Sequence, residues 1–337
     1  MKKMAFVIMG IFFIIVSCTK NPVDPDDSVA VLLYPIEVGG MWGYMNMAGD
    51  TVITPEYDSA LDFSEKLAGV LSGGKWGYID SSGTLIIDFV YDAVLGFSES
   101  LAAAKKSGLW GFIDKSGAVK IQFQFDSARG FFEDVARFEE SDTWGYINSL
   151  GAIVANAVYD EAYDFSNGLA LVKQQGKYGY INKLGAVKIS LHYDDAKSFS
   201  YELAAVKVAD RWGYIDTDGK TAVAFSFDEA GRHAECMAAV KINDKWGYIN
   251  LNGAIHIDTI FTDKLGEFHE QMAPFFDDTL YGFINSFGEK VIGYQFVGEP
   301  EGFNNDLARV RTPGYWGYID KTGAYIWKSG ANGRFQN

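Results

Sequence analysis

The chain has 337 residues, 48% hydrophobic and 15% aromatic, a composition that excludes an intrinsically disordered protein. Its 44 acidic and 29 basic residues leave a net charge of −15, which argues against nucleic acid or an anionic lipid surface as the partner, since both need basic patches. Thirty-seven glycines against seven prolines, with so many aromatics, point to strands joined by tight turns.

Residues 1–17 read as a secretory signal. Lys2 and Lys3 precede an apolar run from Ala5 to Val16, too short for the roughly 20 residues that cross a bilayer as a helix. Small Ser17 and then Cys18 follow, and Ile15, Val16, Ser17 and Cys18 resemble the lipobox of bacterial lipoproteins. That resemblance implies lipid attachment at Cys18, and so a place in the bacterial cell envelope. The expected anchor is the outer membrane, with the folded part on its periplasmic or surface face. Residues 18–30, acidic and holding Pro22 and Pro25, read as a flexible tether. Without residues 1–17 the chain has 27 basic and 44 acidic residues, a net charge of −17. With Cys18 lipidated, Cys236 is the one cysteine left, and no disulfide framework is expected.

Residues 31–337 form a single repeat region. An aromatic-glycine pair recurs at Trp42, Trp76, Trp110, Trp144, Tyr178, Trp212, Trp246, Tyr281 and Trp316, spaced 34 residues six times and then 35 twice. Two positions on stands an aromatic, from Tyr44 to Tyr318. Two further stands Asp or Asn, from Asn46 to Asp320, and three beyond that glycine, from Gly49 to Gly323. Trp76 to Asp80 suits a strand, and Asp80 to Gly83 suits a type I turn closed by a glycine bulge. Thr84 to Tyr91 is then the returning strand. A third strand surrounds an alanine kept in eight copies, Ala68 to Ala308, as expected where backbones approach closely. Turn-formers such as Gly73-Gly74 and Asn243-Asp244 join it to the next tryptophan strand.

The link between units carries Phe63, Phe97, Phe131, Phe165 and Phe199 at one column, with His233 in the sixth copy. Phe268 and Phe303 arrive one residue late, which places the insertion in the link. The Asp opening the link, Asp58 to Asp228, is lost there to Thr262 and Val297, as expected if it shapes the shorter turn.

The pattern W-G-Y-I-D-x-x-G, Y-D-x-A, F-S-E-G-L-A resembles the WG-repeat family of bacterial proteins over about residues 40–330. The resemblance implies an interaction or scaffolding module and brings no shared catalytic residues.

No nucleophile elbow, phosphate loop, dinucleotide fingerprint or H-E-x-x-H pair occurs, and neither enzymatic activity nor a cofactor is expected. Asp216 to Gly219 has the look of a calcium loop but lacks the further acids and distal Glu. His192, His256 and His269 show no metal spacing. Arg232, His233 and Cys236 cluster in the sixth copy where other copies differ, and are the candidates for a special site.

The expected fold is all-β, nine three-stranded antiparallel repeats of about 34 residues, in an open solenoid or superhelical array rather than a closed β-propeller. That choice rests on copy number, since propellers usually have four to eight blades and no blade here is split between the termini. The expected function is a non-enzymatic, envelope-anchored scaffold. It would hold the membrane through its N-terminal lipid and bind a protein or envelope polymer. The alternatives are a glycan-binding lipoprotein with exposed aromatics and a hydrolase with a carboxylate pair.

Overall fold

The computed structural model describes residues 32–330 except Asp263; the 1–17 signal, Cys18 and the 18–30 tether lie outside the described residues. The two expected hairpins form throughout. In the first, the Gly83 amide donates to the Asp80 carbonyl, and Asp80 Oδ1 accepts from the Ser82 and Thr84 amides. The nine glycines of this turn all hold positive φ, between 76° and 88°, as the bulge requires. In the second hairpin both turn residues are left-handed in six of the nine copies, for instance Asn243 at 49° and Asp244 at 61°, which is a type I′ turn matched to strand twist.

A third turn was not expected. Within the link, Glu65 and Lys66 have φ of 49° and 75°, and Ser64 and Leu67 bridge across them. The link therefore folds back, and Ser59–Ala60 pairs with Leu71 and Val70 as a short strand beside the alanine strand. The three-stranded repeat is corrected accordingly. Among the described residues seven of nine sheets have four strands, and only the first and last have three. Left-handed Glu, Lys and Ser are rare and leave no glycine to read in the sequence.

The nine sheets, here blades 1 to 9, cover residues 34–57, 59–91, 93–125, 127–159, 161–193, 195–227, 229–261, 264–296 and 308–328. Inner strands such as Leu67–Ser72 are buried on both faces at their start. Returning strands such as Leu85–Tyr91 alternate between buried and exposed, as an outer edge does. The alanine column is fully buried.

The core lies between blades, because no blade can bury both faces alone. Tyr78, Ile87 and Tyr91 of blade 2 pack on Val94, Phe97 and Ala102 of blade 3, and the arrangement repeats. One cluster contains Ile36 and Tyr44 of blade 1, Val70 of blade 2, and Trp316 and Tyr318 of blade 9. Blade 9 therefore packs on blade 1.

That contact overturns the open array. The Tyr34 hydroxyl donates to the Asn305 carbonyl at 3.2 Å, and the Tyr318 hydroxyl to the Pro35 carbonyl at 3.1 Å. The nine sheets stand in a ring, a nine-bladed β-propeller. Copy number misled because closure was equated with a blade shared by both termini. Here blades 1 and 9 are each continuous in sequence, and their apolar faces, with the two tyrosine hydrogen bonds, close the ring without a shared blade.

Candidate functional site in the central channel

Most repeated polar residues are engaged in holding the ring. Tyr44, Tyr78, Tyr146, Tyr180 and Tyr214 each donate their hydroxyl to a link carbonyl 17 residues on, in the next blade. Tyr248 reaches Gly266 at 18 residues, so the inserted residue lies within that interval. Burial pushes the hydroxyls of Tyr44, Tyr78 and Tyr248 far above the tyrosine range.

A second belt joins the link turns. Glu65 accepts from the Ser100 amide, Glu99 from Asp134, Glu133 from Gly168, Glu235 from Glu270 and Gln271, and Glu270 from Asn305 and Asp306. Burial alone would raise the Glu270 carboxyl, but the Asp306 and Asn305 amides and Lys321 outweigh it and bring it down to about 2. The Asp opening each link has a different role from the expected one. Asp58, Asp92, Asp126 and Asp194 accept the amides of Gly73, Gly108, Ser141 and Ala209, capping the hairpin of the next blade. Where Thr262 replaces it, Asp277 within that hairpin accepts from Thr279 and Leu280.

Residues outside these belts gather on one side of the ring. Two residues from the start of the innermost strand, blades 2 to 5 carry Leu61, Leu95, Arg129 and Tyr163 and blades 6 to 8 carry Lys197, Gly231 and Gly266, with Glu301 as the equivalent in the link to blade 9. Against blades 6 to 9 a cavity of about 810 Å³ opens, touching Asp195 and Lys197, residues 228–232 and 264–267, and Glu299, Pro300 and Gly302. These are equivalent stretches at the inner edges of neighbouring blades, so the cavity opens on the blade 6 to 9 side of the ring's central channel. Its charges are largely matched. Lys197 lies over the Trp212 ring at 5.5 Å, Arg232 pairs with Glu267 at 3.0 Å, and Asp195 faces Lys207 across the inner strand pair.

The sixth-copy candidates do not form one site. Arg232 lines the channel, while His233 is buried with its ring edge on Tyr214, 4.8 Å between centroids. Desolvation lowers the His233 imidazole to about 4 against the opposing effect of the Asn250 backbone, and neither ring nitrogen makes a well-formed hydrogen bond. Cys236 is buried in the link turn, and among the described residues no cysteine is free. This geometry provides no Cys–His nucleophile.

The other candidates are local structure. Asp216 Oδ1 accepts the Asp218 and Lys220 amides, and no acid, His or Cys group that could hold a metal occurs among the described residues. His192 and His256 are exposed on returning strands, and His269 borders the channel. No tryptophan is exposed: Trp42, Trp212, Trp246 and Trp316 are buried, and Trp76, Trp110, Trp144 and Trp327 half-buried. Two carboxyls raised by burial, Asp164 and Glu301, stand in separate blades, each beside its own arginine, Arg137 or Arg309. The glycine column of blades 7 and 8 was overlooked in the sequence. Its signal was the missing bulky residue that earlier copies have there.

Nine meander blades closed face to face around a charge-matched channel define a repeat β-propeller protein. The chain belongs to the WG containing repeat family, whose model matches residues 42–76, 76–110, 110–143, 144–178, 178–212, 212–246, 246–278 and 281–314. Each matched span runs from one blade into the next. No curated protein matches the chain. Among solved structures, it is similar to one titled crystal structure of the eukaryotic initiation factor, with 10% identity, 89% of this chain and 96% of that chain covered, and a TM-score of 0.63; the likeness is one of fold. Kluyveromyces lactis Hsv2p aligns at 9% identity over 67% of this chain and 92% of its own, with a TM-score of 0.40. The C-terminal WD40 domain of Sif2 aligns at 10% over 75% and 88%, with a TM-score of 0.41.

Proposed function

We propose that this protein is a non-enzymatic, lipid-anchored scaffold of the bacterial cell envelope that binds a protein partner at the blade 6 to 9 side of its channel. The observation that carries the proposal is where the repeat breaks down. Repeated residues hold neighbouring blades together, whereas the departures Lys197, Gly231, Arg232, Gly266 and Glu267 meet around one cavity. A wall of matched charges favours a partner with charges of both signs, as a protein surface has, over a polymer of one sign. The glycan reading required exposed aromatic platforms on one face; no described tryptophan is exposed, and the exposed rings Phe132, Tyr163, Tyr201 and Phe287 are divided among blades 4, 5, 6 and 8.

The test is crosslinking in intact cells followed by capture of the full-length protein, comparing the parent with Lys207→Glu and Lys264→Glu. Loss of a specific crosslinked band in both variants supports the site. A band retained at parental level in both rules the channel out.

A further inference from the structure

The three most exposed large apolar side chains among the described residues are Leu150 at 89%, Leu184 at 85% and Phe287 at 82%; the next, Ile260, is at 64%. All three occupy the same position, the third residue of the Asx-x-x-Gly turn, in blades 4, 5 and 8. These turns all project from one end of the ring. The turn tips at the other end, from Gly39-Gly40 to Pro313-Gly314, carry one large apolar residue, the half-buried Leu280, and the most exposed flanking residue, Val38, reaches 53%.

Side chains so exposed contribute nothing to the core, and holding three of them in water is unfavourable unless an apolar phase receives them. Their arrangement indicates which phase. Equivalent turns of a ring lie at one level, and the tips fall on the neighbouring blades 4 and 5 and, beyond the Asp218 and Asn252 tips of blades 6 and 7, on blade 8. A local pocket that received Leu150 and Leu184 would not reach Phe287, whereas a flat surface touches all three at once.

The entry of the chain points the same way. Tyr34 pairs with Met45, immediately before the Asn46–Gly49 turn, so the described chain enters at this end, where Leu32 and Met47 border one cavity. Cys18 lies 14 residues before Leu32, a reach of at most roughly 50 Å fully extended. A tether leaving from this end holds it nearest the bilayer.

We propose that this end of the propeller rests on the lipid bilayer, with Leu150, Leu184 and Phe287 inserted at the interface; the proposal rests on lipid anchoring at Cys18. Charge is not the attraction. Lys115, Lys183 and Lys321, on the same turns, are paired inward with Glu65, Glu133 and Glu270. The opposite end, with the hairpins capped by Asp58 and Asp92, is then left free in solution.

The test uses the full-length protein purified from membranes and reconstituted in phosphatidylcholine vesicles with brominated acyl chains. Leu184→Trp, Phe287→Trp and, at the opposite end, Asn243→Trp are compared after subtraction of the parent's fluorescence. At least threefold stronger bromine quenching at positions 184 and 287 than at 243 is expected. Equal quenching at the three positions overturns the proposal, as does quenching at 184 and 287 that persists with unbrominated lipid and grows with protein concentration, which would mean a second copy. Mass spectrometry of the N-terminal peptide from the same preparation reads Cys18 lipidation separately, so a failure of the anchor is distinguishable from a failure of the docking face.

Discussion

Trp42 and Trp316 stack with ring centroids 5.6 Å apart and 22° between planes, joining the first blade to the ninth. Trp316 is buried, and it also packs against Trp327 and Tyr318. Trp316→Ala should therefore cost about 3–5 kcal/mol, read as a lower urea midpoint. Because the ring shares its core among all blades, the variant should still unfold in one transition. A midpoint equal to the parent's would show that the seam is not held by this stack.

The tryptophan column proved less buried than the aromatic two positions on. Trp144 is half-buried under the Arg137 guanidinium, whereas Tyr146 is buried and donates to the Tyr163 carbonyl at 2.8 Å. Tyr146→Ala should cost about 3–5 kcal/mol and Trp144→Ala less. Tyr146→Phe should cost only about 1 kcal/mol, the net worth of one hydrogen bond. The third and eighth copies already have Phe112 and Phe283 at this position. Urea unfolding of the three variants gives the ranking, and a larger loss at Trp144 would reverse the assignment of the core column.

His233 stands where five other copies have phenylalanine at the same column, in a core that leaves both its nitrogens without well-formed hydrogen bonds. His233→Phe should stabilise the protein by about 1–3 kcal/mol, the usual cost of an unsatisfied buried polar group. The folded imidazole titrates at about 4, below the 6.5 of the unfolded chain. Between those values the unfolded state binds more protons, so this part of the stability is present above pH 6.5 and is lost as the pH falls towards 4. The advantage of the Phe variant should accordingly widen between pH 7.5 and pH 4.5. A constant difference between the two proteins would mean that His233 is not buried in its neutral form.

Gly117 holds φ of 83°, and a Cβ there would meet Ile87 Cγ2 at 3.2 Å. Ala118, one residue on, is exposed beside the Val119–Phe125 strand. Gly117→Val should lower the urea midpoint more than Ala118→Val, since a β-branched residue is disfavoured at positive φ and accepted in a strand. Equal midpoints would show that the turn tolerates a side chain in this backbone conformation.

Cys18→Ser should shift the protein out of the detergent-extracted membrane fraction, as follows from the Ile15 to Cys18 segment. Fractionation with immunodetection reads the result, and a variant that stays in the membranes through an uncleaved N-terminus would defeat the lipobox reading.

Local structure was legible because its causes are local. Asp80 and Gly83 specify a bulged hairpin within four residues, and the Trp and Tyr columns set strand faces by alternation. The link turn at Glu65 and Lys66 was hidden because its left-handed residues are not glycines. The Glu65 belt was hidden because it joins residues 35 apart, across blades rather than within them. The channel was hidden for the same reason: Gly231 and Gly266 become a wall only when blades converge.

The sequence by itself determined the repeat, its number, the order of three of the four strands and two of the three turns, all encoded within single units of 34 or 35 residues. Whether the units form an open or a closed array depends on the small angle between neighbouring blades, which accumulates over nine copies. No single unit encodes that sum. Only the tertiary structure decided it, by bringing Pro35 to Tyr318 and Trp42 to Trp316 so that the two terminal faces cover each other. Closure is favoured because an open array would leave both of those apolar faces in water.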